Sequence, residues 1–119
     1  MNTAQEIRDD IKSRLSTIVA AVNNALRGGD ALKALMSTLE RLGRGGKLPH
    51  WYGTLECDGT LPNLDGKSLG SVLEMVFVAV LEHNFYCNSP MVPFRINPAR
   101  GIDIPDLHLG IKSPSENYC

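Results

Sequence analysis

Apolar positions three and four residues apart run through the first 26 residues of the chain. They are Ile7, Ile11, Leu15, Ile18, Val22 and Leu26. Because these spacings place side chains on one face of an α-helix, they predict an amphipathic helix of about six turns. Thr3 and Glu6 have the spacing of a capping box, which satisfies free N–H groups in the first turn. Gly28 and Gly29 are predicted to end the helix.

A second amphipathic helix is predicted from Asp30, which caps it, to Gly43, which ends it. Its apolar positions are Leu32, Leu35, Met36, Leu39 and Leu42. Two helices with a short connection predict a helical hairpin over residues 1–43. Its apolar face is expected to pack into a core, and the alternative is a dimerisation or docking face. That face would consist of Leu15, Ile18, Leu35 and Leu39.

Residues 44–67 are rich in glycine and proline, which predicts a loop. Long loops without regular structure are often functional. Lys47 is followed closely by Trp51 and Tyr52, and a basic residue beside aromatic rings can bind nucleic-acid bases by stacking. Alternatively, the two rings anchor the loop to the core.

Ser71 and Glu74 repeat the capping-box spacing and predict a helix that runs to about Phe85. Apolar residues between positions 72 and 81 cover nearly every face of this helix, so it is predicted to be buried. A buried helix lies between two layers, which implies a sheet on one side and helices on the other. Glu74 either caps the helix or serves as a metal ligand.

The last third of the chain predicts β-structure. Val92–Ile96 has the composition of a short edge strand that contains a proline. Over residues 102–113, apolar and polar side chains alternate, which predicts a strand with one buried face. The polar positions are Asp106, His108, Gly110 and Lys112. The predicted fold class is α+β, with an N-terminal helical hairpin, a buried central helix and a short mixed β-sheet.

Composition narrows the class of protein. The 119 residues, 43% of them hydrophobic, suit a single domain over positions 1–119. With 12 basic and 13 acidic residues, the chain has no overall attraction to nucleic acid or membranes, so DNA binding needs a local cluster. No signal sequence or membrane-spanning helix is predicted. Three widely spaced cysteines indicate a reducing, cytoplasmic location.

Asp103 and Lys112 are the candidate catalytic residues. Pro105 can turn Asp103 towards the polar face of the predicted strand, where it would meet Asp106 and Lys112. Carboxylates hold Mg²⁺, which activates water for attack on a phosphodiester, and a lysine stabilises the developing charge. The pattern therefore predicts metal-dependent phosphodiester hydrolysis. The alternative is a solvent-facing strand with a local ion pair.

The segment Gly101–Ser113 resembles the core motif of the PD-(D/E)xK nucleases, especially type II restriction endonucleases and mismatch-repair nickases. That motif is an aspartate, a variable gap, and an acidic residue two positions before a lysine. The resemblance makes Asp103 the first metal ligand, with Asp106 as its rival, and Lys112 the catalytic lysine. Glu74 corresponds to a glutamate that a preceding helix contributes to the metal site. The implied fold is a mixed sheet flanked by helices.

The chain departs from this motif at Gly110, where the family has its second acidic residue. Glu116 is the nearest later glutamate, only four residues beyond Lys112. His108 lies on the same predicted face but is a poor ligand for Mg²⁺.

Family members continue well beyond the position of Cys119, so the chain is expected to be an N-terminal portion of such an enzyme. Residues 68–113 would be its nuclease-like helix and strands. The resemblance implies Mg²⁺ as cofactor, duplex DNA as substrate and a homodimer as the working form. Arg100 joins Lys47, Trp51 and Tyr52 as an expected DNA contact.

Overall fold

A computed structural model of the chain describes residues 3–43, 66–96 and 102–111. Its α-helices are α1 (Ala4–Ser13), α2 (Leu15–Leu26), α3 (Asp30–Lys33), α4 (Met36–Gly43) and α5 (Gly66–Val80). A π-helix, Leu81–Phe85, continues α5. Two strands, β1 (Ile102–Ile104) and β2 (Leu109–Ile111), flank a 3-10 helix, Pro105–Leu107. The described chain is therefore helix-rich, with a small antiparallel sheet, and belongs at this coarse level to the α+β class.

The first predicted helix is interrupted at Arg14, whose φ of −114° and ψ of 21° are not helical. The capping box at its start is confirmed, because the Glu6 N–H donates to Thr3 Oγ1 and the Thr3 N–H donates to Glu6 Oε1. In a continuous helix Leu15 would share the buried face of Ile11 and Ile18. The interruption leaves Leu15 48% exposed while both isoleucines remain buried.

The second predicted helix is also divided. Gly28 and Gly29 have φ values of 87° and 78°, a region that glycine enters without strain, and they end α2 as predicted. Asp30 is wrong as a cap, because it is the first residue of α3 and makes no side-chain capping bond. Residues 34 and 35 form a turn between α3 and α4.

The apolar face of residues 3–43 packs inside the chain. Ile18, Leu35 and Leu39 are at most 1% exposed, so they are not available for dimerisation or docking. Helices α2 and α4 contact α5, which is buried on most of its surface as predicted. Helix α5 begins at Gly66, so Ser71 lies in its second turn and the predicted capping box with Glu74 is wrong.

The predicted edge strand at Val92–Ile96 is absent, because this segment has no strand pairing within the described residues. Pro93 has no N–H to donate to a sheet. The next N–H, of Phe94, donates to Glu82 Oε2 at 3.1 Å instead. Glu82 is 6% exposed and also accepts a bond from Arg41 Nη2, so the segment is held against the helices by a buried carboxylate.

The predicted continuous strand over 102–113 is wrong as well. Strands β1 and β2 form an antiparallel hairpin with the pairs Ile102–Ile111, Asp103–Gly110 and Ile104–Leu109. Pro105 starts the 3-10 helix that separates the strands, and His108 completes the turn in the left-handed conformation with a φ of 50°. The only sheet in the described ranges is thus two-stranded and antiparallel, and it contains no parallel pair that would make it mixed.

Within the described ranges, no helix has the length and apolar character needed to cross a bilayer.

Candidate functional site

The C-terminal hairpin places Asp103 directly across from Gly110. Asp103 is half-buried on β1, and Gly110 is exposed on β2. A Cβ atom at position 110 would lie 3.1 Å from Asp103 Oδ1, which is closer than ordinary van der Waals contact. The missing side chain of Gly110 therefore gives the Asp103 carboxylate the space that it occupies.

Asp103 faces an open groove of about 460 Å³ on the hairpin. The lining residues are Asp103, Ile104, Pro105, His108, Leu109 and Gly110. His108 is exposed, and its left-handed backbone is uncommon for a residue with a side chain. The groove thus combines one carboxylate and one imidazole with an apolar wall.

Asp106, the rival first ligand, is not brought together with Asp103 in this groove. It lies in the 3-10 helix, is exposed, and accepts a bond from Arg95 Nη2 at 2.9 Å. The sequence pattern placed Asp106 on the strand face of Lys112, but the turn after Pro105 removes it from any strand. Asp106 is therefore half of a surface ion pair, and such pairs add little stability.

Glu74, the third predicted ligand, is buried in the middle of α5 and is engaged in an interaction. It does not line the hairpin groove. Within residues 3–43, 66–96 and 102–111, no three histidine, cysteine, aspartate or glutamate side chains are grouped closely enough to hold a metal ion. Asp103 is thus the one predicted ligand that the groove contains.

Five predicted site residues lie outside the described residues. They are Lys112, the candidate catalytic lysine, and the candidate DNA contacts Lys47, Trp51, Tyr52 and Arg100. Their assignments stay predictions.

A second polar cluster, which the sequence did not reveal, joins α1 to the residue after the π-helix. Asp10 Oδ2 accepts bonds from Arg14 Nε at 2.9 Å, Arg14 Nη2 at 2.6 Å and the Tyr86 hydroxyl at 2.7 Å. The Arg14 guanidinium lies over the Phe85 ring, 5.0 Å from its centroid, at a distance that permits cation–π attraction.

These contacts shift the pKa values of Asp10 and Tyr86. The Tyr86 hydroxyl, together with the Arg14 guanidinium, holds the pKa of Asp10 below its usual 3.8. Burial, strengthened by the hydrogen bond to Asp10, raises the pKa of Tyr86 from 10.0 to about 12. The i,i+4 spacing of Asp10 and Arg14 can be read from the sequence and is typical of an ion pair on a helix. Tyr86 is 76 residues from Asp10, and no local pattern connects them.

No family model matches the chain, and the comparisons with curated proteins and with solved structures found no match. The interpretation of the hairpin groove therefore rests on its geometry and on the motif at residues 101–113. That of the Asp10 cluster rests on its geometry alone.

Proposed function

We propose that the chain is a metal-dependent DNA endonuclease of restriction type, or a portion of one, that hydrolyses phosphodiesters at the C-terminal hairpin. The register of the hairpin is the observation that supports this most. Asp103, the first acid of the motif, lies opposite Gly110, the position of the second acid. Directly opposed residues have Cβ atoms about 4.5–5.5 Å apart, so two acids at these positions of the motif could reach one ion, and in this chain Asp103 is the one that is present.

The residues that line the groove supply the minimum that a protein contributes to a Mg²⁺ site. This ion keeps several waters and is usually held by one or two carboxylates together with substrate phosphates. Asp103 supplies one carboxylate at the edge of an open groove, and the groove leaves space for water or for a phosphate oxygen. When bound, Mg²⁺ supplies a water of lowered pKa and neutralises charge on the phosphate.

The chain's own residues then have distinct tasks. Asp103 would hold the ion, and Lys112 would orient the attacking water and stabilise negative charge on the phosphate. A restriction-endonuclease-like core around the hairpin is part of the proposal, as are duplex DNA as substrate and a homodimer as the working form. Asp106 has no task in it, because its carboxylate is paired with Arg95.

Cleavage of duplex DNA in Mg²⁺ or Mn²⁺ tests this proposal. Asp103→Asn keeps the size of the side chain and removes its charge, so we expect at least about a hundredfold loss of cleavage rate. Lys112→Ala should cause a loss of similar size. Asp106→Asn is the matched control, since it makes the same change three residues away on a carboxylate outside the groove. Equal cleavage by all four proteins would refute the catalytic assignment.

A further inference from the structure

A second groove, of about 240 Å³, lies where the interruption between α1 and α2 meets the end of the π-helix. Its lining residues are Arg14, Phe85, Tyr86, Asn88 and Ser89. It has no part in the proposed hydrolysis at Asp103.

Arg14 enters this groove with a fixed orientation. Nε and Nη2 both donate to Asp10 Oδ2, and the guanidinium carbon lies over the Phe85 ring, 5.0 Å from its centroid. These bonds do not use Nη1, which carries two more N–H donors. The Arg14 side chain is 40% exposed, so solvent reaches its outer part. A guanidinium held in this way loses little freedom when it binds a ligand.

The partner of Arg14 stands outside the groove. Asp10 is not among the lining residues, and its Oδ2 already accepts three bonds, one of them from Tyr86. An anion in the groove would therefore approach the side of Arg14 that its own carboxylate leaves open. Because Asp10 balances part of the positive charge, we expect binding in the millimolar range and not tighter.

Asn88 and Ser89 offer donors from a different part of the chain. Ser89 Oγ accepts the Met91 N–H at 3.1 Å, which leaves the hydroxyl proton free to donate to a ligand. Asn88 is exposed and carries an amide NH₂ group. The groove thus combines a charged planar donor with two neutral donors, and its lining residues include no carboxylate.

We infer that this groove binds a phosphate group through Arg14, Asn88 and Ser89. Donors on separate chain segments suit a tetrahedral oxyanion, which presents oxygens in several directions. A planar carboxylate presents only two oxygens in one plane, and these match the fork of a single guanidinium. The inference goes beyond the proposed nuclease and does not depend on it.

Backbone amide NMR of the full chain tests the inference, with inorganic phosphate added at constant ionic strength. We expect saturable shifts at Asn88 and Ser89, and weaker saturation with acetate. Asn88→Asp places a negative charge in the groove without touching Arg14 or Asp10, so it should weaken phosphate binding at least tenfold. Asn84→Asp is the control, because it makes the same change at an exposed π-helix position outside the groove.

The source of the phosphate group is examined with adenosine monophosphate and adenosine. Tighter binding of the monophosphate than of inorganic phosphate would assign a nucleotide ligand, and equal binding would assign the phosphate group alone; both support the site. Shifts that rise linearly without saturation, an equal response of the two asparagine variants, or acetate binding as tight as phosphate would each overturn it.

Discussion

Asp10 belongs to the cluster with Arg14 and Tyr86, whereas Asp103 lines the groove on the C-terminal hairpin. The two carboxylates differ in how many hydrogen bonds they accept. Asp10 receives three hydrogen bonds from Arg14 and Tyr86 and is 13% exposed. The Asp103 carboxylate lines an open groove and makes no side-chain hydrogen bond or ion pair with any other described residue. A carboxylate that accepts several hydrogen bonds within the chain stabilises the fold, whereas one that lines an open groove is available to a ligand.

The two aspartates differ in how visible they are in the sequence. Asp103 stood out because its neighbours resemble a nuclease motif, although the geometry gives it few partners. Asp10 stood in an ordinary amphipathic helix, yet it connects α1 to a residue beyond the π-helix. We therefore expect removal of the Asp10 carboxylate to lower stability, and removal of the Asp103 carboxylate to lower the proposed cleavage activity.

The largest effect is expected for Asp10→Ala, which should lower the free energy of unfolding by about 2 kcal/mol. Hydrogen bonds to a charged group are worth about 1.5–3 kcal/mol, and exposure of Arg14 reduces that value. Asp103→Asn should unfold at the wild-type denaturant midpoint, because no described partner depends on its charge. Chemical denaturation measures both variants.

Asp9→Ala is the matched control for this prediction. Asp9 is an exposed neighbour on the same helix whose carboxylate accepts one bond, from Gln5 Nε2. Its removal should change stability by less than about 0.5 kcal/mol. If Asp10→Ala behaved like Asp9→Ala, the three bonds to Asp10 would not stabilise the fold and the contrast with Asp103 would fail.

The sequence predicted those parts of the fold that depend on local chemistry. The capping box at Thr3, the glycine stop after α2 and the burial of α5 follow from spacing and side-chain type, and all three are confirmed. The alternation around Leu107 and Leu109 was misleading, because the same spacing is satisfied by a turn that begins at Pro105.

The features that the sequence did not predict depend on contacts between residues that are far apart along the chain. Val92–Ile96 is not a strand because the Phe94 N–H bonds to Glu82, a residue of the π-helix. At the candidate site, the glycine that lacks the motif's second acid is the residue that makes room for Asp103. The sequence identified both positions, but only the hairpin register shows that they face each other.

A smaller effect is expected at alkaline pH, where Tyr86 reports on the Asp10 cluster. Because the pKa of Tyr86 is raised from 10.0 to about 12 in the folded chain, its neutral form stabilises the fold. This contribution is complete below pH 10 and is lost as the pH rises through about 12. Denaturation at several alkaline pH values should show this loss in the wild type.

Tyr86→Phe removes the hydroxyl, so its alkaline stability loss should be smaller than that of the wild type. The variant should also lose about 1 kcal/mol at neutral pH, where the bond to Asp10 is absent. If Tyr86→Phe lost as much stability at alkaline pH as the wild type, other groups would be responsible for that loss. Asp103→Asn should keep the wild-type profile, because Asp103 lies outside the residues that bond to Tyr86.

The smallest effect concerns the space between Asp103 and Gly110. Gly110 has no positive φ, so alanine fits its backbone and should by itself stabilise the chain by about 0.4–1 kcal/mol. The added Cβ would lie 3.1 Å from Asp103 Oδ1, which should cancel most of that gain. In an Asp103→Ala background the gain should return, so a double-mutant cycle should give a coupling of about 0.5 kcal/mol. Additive changes would mean that the Asp103 carboxylate does not point across the hairpin, and the proposed ion site at this pair would lose its geometric support.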